Sequence, residues 1–425
     1  MRSGAWGGEE LAQIEQGAAR DEWRRHWPLV LAGASGMSLA SLSTTSFGVM
    51  MLPLEHALGW SRAQISLGPL VLTVTVIVVG TVMGYAADRF GARIVALFSA
   101  VLIIGAITAM SQLSANPLLW LLIWMVLGLG STAIPTVTVL PVTKGFFAGR
   151  GLAVALVLCG SGFSTLVVPI VANYLVESQG WRNAYLGLAG IWGMVVFPIF
   201  LLFLREPPIV PIATTSKADA ARDVPSIAPG FTPSQGFRSR SFYKLFSASV
   251  LTVTANQGLL LNLVPVLRSN GMAAGTAAWI YGFSGIATIA GRVMCGWLLD
   301  RFNASKVVGC AVIALTMTPL MLLAVPGSVA LALVAVIAAG LLGGMTSPAN
   351  AYLTGKHFGA RNFGTFYSTI NVASAIGLGV GPLIANLVYD RAKSYELVMW
   401  CAVPMLVCAG LLYMSLGKYP KFEAA

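Results

Sequence analysis

Charged residues are scarce in this chain: they make up 10% of its 425 residues, whereas hydrophobic residues make up 57%. An ordinary soluble domain carries about 25% charged residues, so this composition excludes the soluble globular class. Histidine is rarer still, and the three present, His26, His56 and His357, lie far apart at the ends of apolar stretches or in loops. Neither a nucleophile–base pair nor a phosphate-binding loop is apparent. We therefore expect no metal site, no cofactor and no enzymatic activity.

Cysteine is scarce as well. The five cysteines all fall within apolar stretches, where an odd number favours small packing residues over disulfides. Residues 1–27 are polar and charged and contain no apolar core, so we expect no cleavable signal peptide at this end of the chain.

Long apolar stretches account for the composition. A helix needs about 20 apolar residues to cross a hydrocarbon core of ~30 Å. Stretches of that length recur along the chain, and they are continuously apolar rather than alternating, which favours helices over a membrane β-barrel. We predict an all-α polytopic membrane protein with twelve transmembrane helices, centred near residues 40, 75, 102, 130, 163, 194, 254, 287, 314, 340, 376 and 405.

The chain divides once, shortly after Arg205. The stretch that follows is rich in Pro, Ser, Ala and charge and lacks a sustained apolar period, as is typical of a flexible linker. Six predicted spans precede it and six follow. We predict a cytoplasmic N-terminal tail (1–27), a first six-helix bundle (28–205), a cytoplasmic linker (206–240), a second six-helix bundle (241–417) and a cytoplasmic C-terminal tail (418–425).

The net charge of +11 follows the predicted topology. With the N-terminus in the cytoplasm, the Lys and Arg residues left on the opposite face are Arg62, Arg182, Arg268, Arg391 and Lys393. This asymmetry obeys the positive-inside rule, so we expect both termini in the cytoplasm and the protein in the cytoplasmic (inner) membrane. Because the charge is set by topology, we expect the lipid bilayer and not nucleic acid as its partner, and we expect a monomer.

The two halves carry an internal repeat. The segment 84–90 (GYAADRF) matches 296–302 (GWLLDRF), which lies 212 positions later. Lys144 with its following Phe146, and Gly59, recur at the same spacing. Three matches in one register indicate a duplicated six-helix unit, an architecture in which transporters bind substrate where the repeats meet.

Arg292 lies mid-way through the apolar stretch Ala277–Leu299 and is the one charged residue within it. An arginine at such depth costs roughly 3 kcal/mol or more, so it usually faces an aqueous cavity and a partner. All fifteen acidic residues lie at span ends, in loops or in the termini. Snorkelling to the interface is the alternative, but Asp300 and Arg301 already mark that interface. The position therefore favours an anion-binding site.

The segment Gly84-x-x-x-Asp88-Arg89-Phe90-Gly91-x-Arg93 resembles the signature loop between spans two and three of the major facilitator superfamily, and its degenerate second copy lies between spans eight and nine. The resemblance implies a transporter of two pseudo-symmetric six-helix bundles. It also implies that both loops hold the halves together while the cytoplasmic side is closed. The gating residues so implied are Gly84, Asp88, Arg89, Gly91, Arg93, Gly296, Asp300 and Arg301.

Within that superfamily, the motifs Gly59-Trp-Ser-Arg62, Gly180-Trp-Arg182 and Gly291-Arg292 resemble the monocarboxylate-transporter and oxalate/formate-exchanger branch. In that branch an arginine on span eight binds the substrate carboxylate, and Arg292 matches its position. The resemblance therefore implies a small organic monocarboxylate anion as substrate and a proton as the coupling ion.

The chain departs from the branch at three places. Thr288 occupies the position where animal monocarboxylate transporters carry an aspartate that joins proton coupling. Their lysine on span one has no counterpart in Ser38–Met51, and the exchanger's lysine on span eleven has none in Phe363–Val388. A single cation suits a monoanion better than a dianion, because a second carboxylate would lack a compensating charge. No proton-carrying residue is evident.

Polar residues recur at helical spacing in several spans, so they share helix faces. Ordinary helix packing is an alternative explanation for the Ser and Thr residues among them. The predicted substrate-binding residues are Arg292, Thr288, Tyr281 and Ser284 on span eight, Asn256 on span seven, Asn350 on span ten, and Tyr367 and Asn371 on span eleven.

These patterns predict a secondary active transporter of a small organic monocarboxylate, working by proton symport and alternating access. Two alternatives share the fold: a carboxylate anion exchanger and a drug or metabolite efflux antiporter. The antiporter signature of span five is echoed only loosely by Gly160-Ser-Gly162 with Pro169, and drug pumps rarely need a deep arginine.

Overall fold

The computed structural model describes residues 6–146, 150–204, 230–325, 327–359, 361–417 and 419–420. Within these ranges the backbone forms α-helices and, between Gly230 and Gly359, one isolated β-bridge, which confirms the all-α prediction. The described helices are α1 (Trp6–Leu58), α2 (Arg62–Phe90), α3 (Ala92–Ser111), α4 (Pro117–Gly145), α5 (Arg150–Phe203), α6 (Pro233–Phe237), α7 (Arg240–Leu260), α8 (Leu263–Ser269), α9 (Ala274–Arg301), α10 (Ala304–Ala314), α11 (Met317–Ala324), α12 (Val329–Gly344), α13 (Thr346–Phe358), α14 (Phe363–Ala392) and α15 (Glu396–Met414).

Ten stretches of helix among the described residues are long and apolar enough to cross a membrane, or eleven when α7 and α8, bent by 52°, count as one span. The 54 residues of α5 are interrupted at Gly180, whose φ of 79° is a conformation that glycine adopts at little cost. Counting α7 and α8 as one span and dividing α5 at Gly180 gives twelve spans, the number that the sequence predicts. The chain is therefore a polytopic membrane protein.

The contacts divide the chain into two compact units. Unit 1 comprises the described residues of Met1–Met50 and Val74–Ile209, and unit 2 those of Met51–Thr73 and Val210–Ala425. The predicted bundle 28–205 contains the end of α1 and the beginning of α2, which the contacts group with unit 2. Hydrogen bonds of residues 62–66 with α14 agree with this grouping.

In unit 1, α1 and α5 are in direct contact. A side chain on Gly160 would collide with the backbone of Ala34, because a Cβ atom there would lie 1.9 Å from the Ala34 carbonyl oxygen. The indole Nε1 of Trp192 donates a hydrogen bond of 3.0 Å to the Ser38 hydroxyl at the same contact. Helix α3 packs against α4 and α5. Small residues thus let the helices touch, as is usual in membrane bundles.

The end of the predicted linker is folded onto unit 2. Residues 205–229 lie outside the described residues, but α6 begins at a capping box in which Thr232 and Gln235 satisfy each other's backbone N–H groups. The Phe231 amide donates a hydrogen bond of 2.9 Å to the Phe358 carbonyl, and Gly236 lies directly under the ring of Phe366. Residues 230–240 are therefore held by capping and by aromatic packing, which the composition of the segment did not indicate.

In unit 2, α9 and α12 meet backbone to backbone. A Cβ atom at Gly291 would lie 1.9 Å from the Leu341 carbonyl oxygen. Cβ atoms at Gly340 and Gly344 would each lie 2.5 Å from a carbonyl oxygen of α9, that of Ser284 and that of Thr288 respectively. Three glycines therefore fix both the separation of the two helices and the rotation of α9 about its axis. Elsewhere in the unit, α7 packs against α14 and α15, and α10 packs against α15.

This contact predicts a sharp difference between two glycines of α9. Gly291→Ala places a methyl group against the Leu341 carbonyl and must push α9 from α12, which we expect to cost about 1–3 kcal/mol. Gly296→Ala, on the same helix, meets nothing within 4 Å and should leave the stability unchanged or slightly raised. The apparent melting temperature in detergent, measured by fluorescence-detected size-exclusion chromatography, should fall by several degrees for the first variant only. Equal melting temperatures would contradict the close contact.

Candidate functional site

Arg292 lies nearer one end of its span than its place in the sequence suggests. The membrane-spanning part of α9 runs from Ala274 to Leu299. At 1.5 Å per residue, Arg292 lies about 10 Å along the axis from Leu299 and about 27 Å from Ala274. The prediction that it lies mid-way is therefore corrected. Even within Ala277–Leu299, Arg292 is 15 residues from the first residue and 7 from the last.

The Arg292 side chain is partly buried. Arg292 already takes part in an interaction within the protein in this structure. A guanidinium has five N–H donors arranged as a fork, so one partner leaves donors for a second acceptor. The backbone contact at the adjacent Gly291 fixes the point on the helix from which this side chain extends.

The predicted polar stripe on α9 divides into two parts. Tyr281 and Ser284 are buried, at 5% and 0% exposure, and the Ser284 hydroxyl donates a hydrogen bond of 2.6 Å to the Tyr281 carbonyl. Thr288 and Arg292 are only partly buried, although the Thr288 hydroxyl donates to the Ser284 carbonyl at 2.7 Å. The first pair belongs to the packed interior of unit 2 in this conformation, and the second pair keeps accessible surface.

Helices α7, α9 and α12 converge at two successive glycines. A Cβ atom at Gly343 would lie 2.7 Å from the Asn256 amide nitrogen of α7, and one at Gly344 would lie against the Thr288 backbone of α9. The structure thus brings Asn256 and Thr288 to adjacent positions of the same helix, with Arg292 one turn further along α9. Of the predicted site residues, the glycine contacts link Asn256 and Thr288, and Arg292 lies near them through its place on α9.

Asn350 on α13 belongs to a separate hydrogen-bonded cluster. It is 2% exposed, and its side-chain oxygen accepts a hydrogen bond of 2.9 Å from the Tyr413 hydroxyl of α15. The same hydroxyl lies 3.3 Å from that of Ser249 on α7. Asn350 therefore joins three helices and is buried in this conformation. Sequence reasoning missed Tyr413 and Ser249, whose only signal was a polar group inside an apolar span.

The two predicted site residues on α14 differ in exposure. Tyr367 is partly buried, and its ring stacks on that of Phe363 with 5.4 Å between centroids and 13° between planes. Asn371, one turn further on, is exposed. Both therefore retain accessible surface, and their participation in a site stays a prediction.

The signature loops show how four of the predicted gating residues are placed. Gly91 caps α3 with a φ of 83°, a conformation that favours glycine, and the Arg93 guanidinium donates a hydrogen bond to the Leu201 carbonyl of α5. Arg89 lies over the ring of Phe90 at 5.7 Å, and Arg301 lies over the ring of Trp297 at 4.4 Å.

In the second loop, Gly296 is exposed. The side chains of Asp88 and Asp300 and the surroundings of Gly84 lie outside the described part of the structure. The gating role of the loops therefore stays a prediction. Across the described residues, no group of three or more His, Cys, Asp or Glu side chains could hold a metal ion.

Comparison with protein families gives a match over most of the chain. A family model described as the Major Facilitator Superfamily matches residues 33–382 and 245–422. Among solved structures, the fold is similar to that of a D-xylose-proton symporter, with a TM-score of 0.73 and 15% identity, covering 92% of this chain and 98% of that one. At this identity the structural likeness shows the fold alone.

Two curated relatives are similar in sequence. The oxalate:formate antiporter of Oxalobacter formigenes is 26% identical over 312 residues, which is 71% of this chain and 71% of that protein. A 4-hydroxybenzoate transporter of Acinetobacter baylyi is 25% identical over 313 residues, which is 67% of this chain and 68% of that protein. Both names describe carriers of organic anions.

The Tyr413 cluster leads to a prediction about stability. Tyr413→Phe leaves the buried oxygen of Asn350 without its donor, and we expect a loss of about 1–3 kcal/mol, since an unsatisfied buried acceptor is not rehydrated. Tyr243→Phe is the matched control, because Tyr243 is 62% exposed. Thermal unfolding in detergent should show a lowered midpoint for Tyr413→Phe and an unchanged midpoint for the control. Identical midpoints would mean that water replaces the lost hydroxyl.

Proposed function

Because the chain belongs to the Major Facilitator Superfamily of membrane transporters, we propose that it carries a small organic monocarboxylate, with Arg292 as the residue that binds the carboxylate. The family match confirms the resemblance to this superfamily, and with it that the chain is a transporter rather than an enzyme. In this fold, transport proceeds by alternating access around a fixed site.

The placement of Arg292 carries this proposal. The residue is partly buried within a membrane span, and it follows a glycine that locks α9 against α12. Its planar fork matches the two oxygens of a carboxylate, which a lysine does not. Any protein group that the guanidinium contacts would share it with the substrate, or would give way when the substrate arrives.

The substrate class follows from charge. Oxalate, formate and 4-hydroxybenzoate, named for the two relatives, have a carboxylate in common although they differ in size. In this chain Arg292 is the one charged residue of its span, so it compensates one carboxylate and leaves a second one exposed to the full penalty of burial. A monoanion is therefore the better substrate.

Coupling separates two versions of the proposal. Proton symport is what the branch resemblance implies, although Thr288 replaces a titratable residue on the Arg292 face of α9. Exchange of one anion for another is the second candidate, and the similarity to an antiporter favours it. We place the protein in the cytoplasmic membrane with both termini in the cytoplasm, because the Lys and Arg residues concentrate on one predicted face. We further propose that it works as a monomer.

Flux measurements in proteoliposomes test the substrate and the coupling together. The panel contains formate, lactate and 4-hydroxybenzoate as monoanions, oxalate as a dianion and xylose as a neutral solute. Carboxylate transport predicts uptake of at least one monoanion and none of xylose. Symport predicts stimulation by an inward proton gradient, whereas exchange predicts dependence on substrate loaded inside. Uptake of xylose without any carboxylate would overturn the proposed substrate class.

Carboxylate binding by Arg292 predicts a graded loss of uptake in two variants. Arg292→Ala should abolish carboxylate uptake, and Arg292→Lys should leave about a tenth of it or less, because the bidentate geometry is lost while the charge remains. Arg268→Ala is the control, since Arg268 is exposed at the end of α8 in the same unit. Initial uptake rates are normalised to the amount of folded protein. Near-normal uptake by Arg292→Ala would remove the anchor from the mechanism.

The signature loop predicts an effect on rate rather than on binding. Asp88→Asn should slow turnover about tenfold and change substrate affinity less than about threefold, because a closure contact acts on the conformational step. Glu177→Gln provides the control, as the Glu177 side chain is exposed in unit 1. Calorimetric binding and proteoliposome uptake give the two quantities. Affinity falling as far as turnover would place Asp88 at the substrate instead.

A further inference from the structure

The turn between α1 and α2 carries a buried arginine that the transport site does not use. Arg62 is the first residue of α2, and only 5% of it is exposed. An arginine so close to a turn would ordinarily keep its charged head in water. Its burial therefore calls for a specific set of partners, which the end of α1, the end of α14 and the loop after α14 supply.

Three groups hold the Arg62 guanidinium. Its Nε donates a hydrogen bond of 2.9 Å to the carboxylate of Glu55, on the last turns of α1. Its Nη1 donates to the Tyr395 hydroxyl at 3.1 Å. The ring of Tyr389 lies under it, 3.8 Å from the central carbon, and the Tyr389 and Tyr395 rings stack at 4.4 Å. The cation is thus bound by charge, by a hydrogen bond and by an aromatic face at once.

The Tyr395 hydroxyl passes the contact on to α14. It donates a hydrogen bond of 2.8 Å to the side-chain oxygen of Asn386, whose amide nitrogen donates to Ser66 of α2 at 2.6 Å and to Asn262 at 2.8 Å. Burial raises the pKa of Tyr395, so its phenol stays a donor at physiological pH. Ser66, Asn262 and Asn386 are all fully buried. Every polar group of the Asn386 amide is therefore satisfied.

Asp390 binds the beginning of α2 separately. Its two carboxylate oxygens accept hydrogen bonds from the backbone amides of Arg62, at 3.2 Å, and Ala63, at 2.9 Å. These are donors that the first turn of a helix leaves without partners, and the helix dipole favours an anion there. We call Glu55, Arg62, Asn386, Asp390 and Tyr395 together the tip cluster.

The chemistry of the tip cluster suits a contact that forms and breaks. Replacing a buried ion pair by apolar residues is often neutral or stabilising, so such a pair is weak evidence for a purely structural role. Its polar groups can exchange their partners for water when they separate. Helices α1 and α2 also continue from this tip into unit 1. The part of α1 up to Met50 and the part of α2 from Val74 onward belong to that unit.

We propose that Arg62 is a latch residue of the transport cycle: its release from Tyr389 and Tyr395 frees the α1–α2 tip from α14 and opens this end of the protein. The latch rests on the proposed alternating-access cycle but not on the identity of the substrate. In the proposed orientation, this end faces away from the cytoplasm.

The test uses the full chain with its native cysteines replaced and one reporter, Thr73→Cys. Thr73 is 3% exposed, and its side chain lies against Gly379 of α14. We expect a membrane-impermeant maleimide to label this cysteine at least fivefold faster in Arg62→Gln and in Asp390→Asn than in the parent. Arg182→Gln is the matched control: Arg182 also lies over a neighbouring ring, that of Trp181 at 4.2 Å, but binds the Leu113 carbonyl within unit 1.

A second reporter separates latch release from general loosening. Cys295, kept as the one native cysteine in a parallel set, is fully buried on α9 and should stay unlabelled in every variant. Faster labelling of position 73 alone supports the latch. Unchanged labelling in both latch variants, or equal acceleration at Cys295, overturns it.

The side of the membrane from which the reagent labels position 73 tests the proposed membrane orientation, independently of the latch. Reagent added outside intact cells reaches the non-cytoplasmic face, and reagent added to inverted vesicles reaches the other. Because labelling needs no substrate, loss of the latch and loss of the carboxylate proposal are distinguishable. If position 73 is labelled quickly in the latch variants but the protein transports no carboxylate, the latch is supported and the proposed substrate is wrong.

Discussion

Helices inside a bilayer gain nothing from hiding apolar surface from one another, because the lipid tails are equally apolar. Close packing must supply the association, and here glycines let backbones touch. Gly291 against Leu341 and Gly344 against Thr288 set α9 on α12 at a distance that no side chain could tolerate. The direction of the Arg292 side chain depends on that contact, since rotating α9 by one residue would turn it by about 100°.

The same environment decides where polar groups are found. A buried polar atom in a membrane protein has no water to bind instead, so leaving it without a partner is costly. Asn350 has Tyr413, and Asn386 has Ser66, Asn262 and Tyr395. Such clusters tie helices at defined rotations, while the partly buried Thr288 and Arg292 keep accessible surface. Polar residues that are buried and hydrogen-bonded therefore hold the helices together, whereas polar residues that stay accessible are the candidates for binding a ligand.

The grouping of residues 51–73 with the second unit gives the first two helices a double role. Each belongs to one unit along part of its length and to the other unit along the rest. A hydrogen-bonded, charged contact at their tip can be exchanged for hydration, whereas an apolar interlock could not be opened without exposing its surface. This chemistry is suited to a protein whose function requires that helices part and meet again.

The sequence by itself determined the class of the protein, the number of spans, the repeat at 212 positions and the signature loops, because hydropathy and motif are local properties of a chain. It also singled out Arg292, since one charge in an apolar run is visible without coordinates. Only the tertiary structure decided that Tyr281 and Ser284 are packed while Thr288 is accessible, and that Arg62, 333 positions from Tyr395, is buried beside it. Those outcomes depend on the tilt and rotation of whole helices, which are set by many distant contacts at once and leave no periodic trace along the chain.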